Sequence, residues 1–316
     1  MKNVVKSRIF HIGSIVLALL AMSLGHSAFA EGDRLGALDA KVSVVTKTTF
    51  VQGEPIILRY LTANVSDQRL DVSWGQTAGY TVSLTDQAGA TNVVQQQITP
   101  ARGLHLVPDP FMPVGSKRES YFTVPQRLIS LYPGRYTLTV QVRLPYTTAD
   151  ENEENPLKIE QKVQASGTVF SRVFRFPLLI TASNDSVLRA TAVSLLKTIL
   201  ATPYGPECQA DMEALFSMPE SQAAASWKEL VARSGSINEA LIADKLGDVG
   251  SVKAADLLLK MLDKPSLSSD NSMFISEKLA QIYNSGSVSL RSHLQNTMME
   301  RGLEMPSKIA VSEVTD

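Results

Sequence analysis

Two hydrophobic periods divide this chain. Between about residues 36 and 182, apolar side chains recur at every second position in short runs: Val42 and Val44, then Ile56, Leu58 and Tyr60, then Leu70, Val72 and Trp74, then Tyr80, Val82 and Leu84. Such alternation puts one face of a strand against a core and the other toward water. Tyr136, Leu138, Val140, Val142 and Leu144 form the longest clean alternation, and the turn dipeptide Pro133-Gly134 starts it. The run Val169 to Ile180 is apolar on both faces near its end, which predicts a central or closing strand. Seven or eight strands in roughly 145 residues predict an all-β unit, an immunoglobulin-like β-sandwich rather than a closed barrel, although the Cys–Trp–Cys signature of antibody domains is missing.

Beyond Asn184 the period changes to 3.6. Leu188, Ala192, Leu195 and Ile199 share one helical face, as do Ala223, Trp227, Leu230 and Val231, then Ile237, Leu241, Ile242 and Leu246, then Val252, Ala255, Leu258, Leu259 and Leu262. Ile275, Leu279 and Ile282 continue the series, and Leu290, Leu294 and Met298 end it. Pro203, Pro206, Pro219, Gly235, Gly250, Pro265 and Gly286 punctuate these stripes, so six or seven short helices are expected. Ser236-Ile237-Asn238-Glu239 reads as a capping box. Ile242–Leu246 matches Ile275–Leu279 at an offset of 33, and Gly250-Ser251-Val252 matches Gly286-Ser287-Val288 at 36. That spacing indicates stacked helical hairpins, whose inner groove is a common place to hold a partner.

The first 30 residues differ from both regions. Lys2, Lys6 and Arg8 precede an apolar core from Ile9 to Leu24, and Ala28-Phe29-Ala30 offers a small-x-small cleavage site. This is the form of a secretory signal peptide cut after Ala30; the alternative is an uncleaved anchor, but the core is about 16 residues where a span needs roughly 20. The expected organisation is therefore a signal peptide at 1–30, a sandwich at 36–182, helices at 183–304 and a tail at 305–316. The expected location is periplasmic or secreted, with no integral membrane segment after cleavage.

Cleavage removes three basic residues and takes 30 Lys and Arg to 27 against 31 Asp and Glu, so the formal charge moves from −1 to −4. No segment concentrates Lys and Arg, which argues against nucleic acid as a partner. Cys208 is the single cysteine, so no intrachain disulfide forms; it is a bridge to another chain, a reactive thiol or a small filler between helices. After signal removal only His105 and His293 remain, too few for a His-rich zinc site or a Cys/His nucleophile pair. No cofactor is expected. Scattered carboxylates such as Asp71, Asp86 and Glu160 supply no acid/base pair that sequence alone can assemble, so the chain is read as non-enzymatic.

Two segments exceed a minimal sandwich. Pro100 to Ser120 carries Leu104, Leu106, Phe111 and Met112 among prolines, followed by Lys117-Arg118. It is either a partner-binding protrusion, preorganised by its prolines, or a lid folded over one end of the sandwich. Those six residues are the candidate contact site. Thr147 to Pro156 contains Asp150-Glu151-Asn152-Glu153-Glu154-Asn155, which lacks the central Gly of an EF-hand and reads as a solvated tip between two strands. Asn64-Val65-Ser66 and Asn184-Asp185-Ser186 are formal glycosylation triplets.

Gln52-Gly53-Glu54-Pro55-Ile56-Ile57-Leu58, Ala63-Asn64-Val65-Ser66-Asp67 and Leu131-Tyr132-Pro133-Gly134-Arg135-Tyr136 resemble the repeated pattern of bacterial exported Ig-like domains. The same stretches resemble the sandwich of the bacterial proteinase inhibitors typified by the Bacillus intracellular inhibitor, and the resemblance implies binding to a protease. Leu246-Gly247-Asp248, Val252, Ala254 and Leu262-Asp263 resemble HEAT-type repeats. The resulting expectation is an Ig-like sandwich followed by a short HEAT-like α-solenoid. Its function would be to bind a protein of the envelope or extracellular space through sandwich loops or the helical groove. The alternative is a protease inhibitor that offers Lys117 or Arg118 from the 100–120 loop to an acidic specificity pocket.

Overall fold

The computed structural model describes residues 36–45, 47–73, 79–97, 111–124, 132–149, 155–233 and 235–303. Among these residues ten strands come first: β1 Leu38–Val44, β2 Thr49–Val51, β3 Ile56–Asn64, β4 Leu70–Val72, β5 Gly79–Asp86, β6 Thr91–Gln97, β7 Phe111–Met112, β8 Lys117–Val124, β9 Gly134–Thr148 and β10 Val169–Thr181. A helix, α1 Pro156–Ser166, interrupts them between β9 and β10. Seven helices follow among the described residues: α2 Asp185–Ala201, α3 Pro206–Ser217, α4 Glu220–Arg233, α5 Ser236–Val249, α6 Val252–Leu262, α7 Ser269–Ser285 and α8 Val288–Glu300.

This is a mixed α/β protein, and the expected class, an all-β immunoglobulin-like sandwich followed by a HEAT-like α-solenoid, is corrected. Among the described residues one sheet has three strands in the order β1-β3-β8 and the other has seven, so no closed sandwich of matched sheets forms. The larger sheet is mixed: β2 runs parallel to β10, whereas β9 runs antiparallel to β10, β5 and β4. Alternation reveals which face of a strand is buried but carries nothing about the direction of its neighbour, which is why the error arose. The helix α1 stands where a strand had been expected to follow the acidic segment. Ile159 and Val163, four apart and both 1% exposed, hold it against β9 and β4.

The two sheets share one core. Leu58, Tyr60 and Phe122 from the small sheet meet Val140, Val142, Phe174 and Phe176 from the large one. β9 organises the large sheet by its length: one edge pairs with β10, and the other pairs first with β5 and then with β4. Pro177 lies inside β10, but β2 pairs only with Leu179–Thr181, so the missing N–H falls on an open edge. Asn64 ties the small sheet to its loops, donating from Nδ2 to the carbonyls of Gln68, Met112 and Pro113 while Oδ1 accepts from Ser66. A side chain 1% exposed and so committed cannot serve as a glycosylation acceptor. Asn184 is instead the N-cap of α2.

The helices form one packed body rather than a free-standing array, because its core includes Ile57 of β3. Trp227 anchors it, stacked on Phe216 at 5.4 Å and donating its indole N–H to the Leu215 carbonyl. Burial of a side chain of this size stabilises by about 1.5–3 kcal/mol. The expected punctuation falls at the helix ends: Pro206 opens α3, Pro219 precedes α4, and Gly250 and Gly286 cap α5 and α7. The matched Gly-Ser-Val triplets are therefore the turns of two helical hairpins, α5–α6 and α7–α8, with Ser251 and Ser287 capping the second helix of each. The expected capping box places its first residue one position late, since Ser236 begins the helix. Gly235 is the N-cap without a side-chain bond, and buried Glu239 accepts from Lys264 and Asn271. Gly247 lets α7 approach, since a Cβ there would lie 2.7 Å from the Lys278 side chain, which reaches on to Asp244.

The turn between β2 and β3 joins the two halves. Gly53 has φ +91°, where a side chain is strained, and its Cα faces Pro219 of the helical body. Glu54, 4% exposed, accepts from Lys47 at 2.7 Å, from the Thr191 hydroxyl of α2 at 3.0 Å and from the Val51 N–H. The Gln52-Gly53-Glu54-Pro55 motif is thus the seat of α2 on the sheets.

Candidate functional site

Part of the expected contact segment is strand. Phe111 and Met112 are β7, paired with β4; Met112 is 2% exposed and belongs to the core, and the Phe111 ring packs on the Arg69 guanidinium at 3.9 Å. Lys117 and Arg118 begin β8, opposite Ala63 and Thr62 of β3. An inhibitory loop presents free extended backbone to a protease, whereas here the two basic residues are part of a ladder. Leu104 and Leu106 lie outside the described residues, as do Asp150 to Glu154. Of the scattered carboxylates, Asp71 is buried in β4, Asp86 closes β5 with Oδ1 accepting the Ala90 N–H, and Glu160 belongs to α1.

The helical body holds a better-formed site. The C-terminal ends of α3 and α5 and the start of α4 converge on a cavity of about 410 Å³. Phe216, Met218, Pro219 and Trp227 form its apolar wall, and Glu213, Lys245 and Asp248 its polar side. Burial pushes the Glu213 carboxyl above the usual range, Lys245 pulls it down and Asp248 pushes it up again. At the rim, partial desolvation and then the Asp244 carboxylate raise Asp248, while Lys245 and Lys278 oppose them. Glu220 on the same rim is paired with Lys253 at 3.3 Å, and Lys278 with Asp244. Two raised carboxylates therefore face one lysine, and the site lacks one positive charge. An incoming cation would favour the charged form of both carboxylates, and the apolar wall would cover an aliphatic stem.

Sequence reasoning expected a partner groove along stacked hairpins and named none of these residues. Glu213 sits between buried Met212 and Ala214 in α3 and looks like an ordinary exposed position of the stripe. Only the crossing of α3 and α5 brings it to Lys245 and Asp248.

Cys208 lies nearby on α3. Burial, and secondarily Asp211, push its thiol up to about 11, which keeps it protonated at neutral pH and removes the nucleophilic thiolate. Among the described residues no group of three or more His, Cys, Asp or Glu is placed to hold a metal, and no helix is long and apolar enough to cross a membrane.

No family model matches the chain, and no curated protein matches it. Solved structures align with about half of it. The putative ApaA protein from Bordetella pertussis is 13% identical with a TM-score of 0.26, over 46% of this chain and 95% of that one. The sporulation control protein Spo0M from Bacillus subtilis is 10% identical with a TM-score of 0.27, over 52% and 56%. A β-glucosidase from Listeria innocua is 13% identical with a TM-score of 0.23, over 46% of this chain and only 16% of the enzyme. Similarity at this level carries no argument about fold or activity.

Proposed function

We propose that this chain is an exported, non-enzymatic binding protein whose helical groove takes a basic side chain of a protein partner. The observation that carries the reading is the charge arrangement of the groove: Glu213 and Asp248 against a single Lys245, beside the wall of Phe216 and Trp227. Arginine suits the site better than lysine, because its planar fork can bridge two carboxylates and its faces stack on aromatic rings. Export is proposed from the signal-like first 30 residues, and an N-terminus at Glu31 on the exported protein would support it.

The test is calorimetric titration of the full chain with a short arginine-containing peptide and with its citrulline counterpart, which keeps the shape and loses the charge. Binding of the arginine peptide alone, weakened at least tenfold in Glu213→Gln/Asp248→Asn, is the expected result. Equal binding of both peptides, or no effect of the double substitution, sinks the assignment.

A further inference from the structure

Among the described residues α1 covers the β4 end of the large sheet, and the part formed by β5, β10 and β9 up to Arg143 is covered on one side only. Its inner face supplies the core, whereas the outward positions of β9 and β10 include Arg135, Thr137, Gln141, Arg143, Arg175 and Leu179, all exposed. Strand pairing places these residues in rows. Thr137 lies opposite Thr85 of β5, Gln141 opposite Thr81, and Arg175 opposite Thr139. Adjacent strands are about 4.8 Å apart, so the rows bring the hydroxyl and amide groups of β5 and β9 together, with Val173, Pro177 and Leu179 exposed beside them on β10.

Three guanidinium groups stand on this face. Arg135 and Arg143 are eight residues apart on β9, about 27 Å at the rise of a strand, and Arg175 faces the midpoint between them. None of the three has a hydrogen bond or ion pair among the described residues, and no carboxylate occupies an outward position of β5, β9 or β10 there. At the Arg135 end the face deepens into a groove of about 490 Å³, into which Thr49, Thr85, Thr137 and Tyr136 also project. Asp86 is on its rim, with Oδ1 already bound to the Ala90 N–H.

Unpaired arginines select an anion, and the surrounding hydroxyl and amide groups select a ligand rich in hydroxyls. A single-stranded nucleic acid needs a row of aromatic platforms for its bases, and here the groove offers the single ring of Tyr136, its hydroxyl donating to the Tyr132 carbonyl, while the described outward positions of the three strands carry none. We infer that the uncovered face of β5, β9 and β10 binds an acidic polysaccharide, with Arg135, Arg175 and Arg143 engaging successive acidic groups along the polymer. This surface is separate from the helical groove and does not depend on the reading given for it.

The experiment is affinity measurement of the full chain on immobilised polygalacturonate, dextran sulfate and uncharged dextran at several salt concentrations. Expected are retention on both acidic polymers, none on dextran, and at least a tenfold loss in Arg135→Gln/Arg143→Gln/Arg175→Gln with an unchanged melting midpoint. The control Arg189→Gln/Lys197→Gln/Lys228→Gln removes the same charge from exposed positions on α2 and α4 and should bind normally. An equal loss in the control would reduce the effect to net charge and overturn the proposal. Equal binding to dextran, or no binding to either acidic polymer, would overturn it as well.

Discussion

The outward faces of the two sheets differ in composition because one is covered and the other is not. On the small sheet, β3 turns Ile57 outward and β8 turns Tyr121 and Thr123 outward, and all three meet the helices. Ile57 is 5% exposed and Thr123 is 1% exposed, with the Thr123 hydroxyl donating to the Ala210 carbonyl of α3 at 2.9 Å. On the large sheet the corresponding positions of β9 are Arg135, Thr137, Thr139, Gln141 and Arg143, and they face solvent or nearly so. A sheet covered on both faces needs apolar or hydrogen-bonded side chains on both, while an uncovered face must be polar to stay in solution. The lesson is that a break in strict alternation, as at Ile56-Ile57-Leu58, marks the place where another layer docks.

Four substitutions would sharpen or break this contrast. The largest expected effect is from Ile57→Ala, which removes an apolar contact shared by β3 and the helical core. It should cost about 2–5 kcal/mol in denaturant unfolding; a cost below about 1 kcal/mol would mean that the helices do not depend on this seat.

The next concerns Asp211 of α3, 6% exposed, whose carboxyl is raised from 3.8 to about 6 by burial and, second, by Glu207. The folded chain thus keeps a proton there that the unfolded chain releases at lower pH. The stability contributed by that proton is present below the unfolded value of 3.8 and is lost as pH rises toward about 6. Asp211→Asn should remove this slope, making the variant more stable than the parent above pH 6 by up to about 3 kcal/mol and nearly equal to it below pH 4. Unfolding midpoints measured across that range check it, and parallel curves for the two proteins would contradict it.

The smallest effects come as a matched pair. Thr123→Val on the covered face deletes a buried hydrogen bond and should cost about 1 kcal/mol. Thr139→Val on the bare face should change stability by less than about 0.5 kcal/mol in either direction. Equal costs at the two threonines would erase the distinction between the faces.

Much of the local structure was legible beforehand. Ile56, Leu58 and Tyr60, or Leu138, Val140 and Val142, alternate so strictly that the buried face of β3 and β9 follows from the period alone. The stripes of α2 and of α4 to α8 were readable for the same reason, and so were their stops, because Pro lacks an N–H and Gly tolerates cap geometry. The helix α1 was missed because its two buried residues, Ile159 and Val163, are too few to stand out beside an acidic run. The function of Glu54 was also hidden: the motif containing it was readable, but its partners Lys47 and Thr191 come from the connection before β2 and from α2, far apart in sequence.

The chain by itself determined most of its strands and helices, their buried faces and the ends of most helices after Asn184, all of which depend on residues within a turn or two of one another. Tertiary structure alone decided the parallel pairing of β2 with β10, the mixed α/β class, and the docking of α3 on β3 and β8. It also decided which charges meet: Glu213 with Lys245 and Asp248 in one groove, and three arginines from β9 and β10 on one face. Those outcomes depend on which surfaces find each other in space, and hydrophobic periodicity records only that a surface must be buried, not against what.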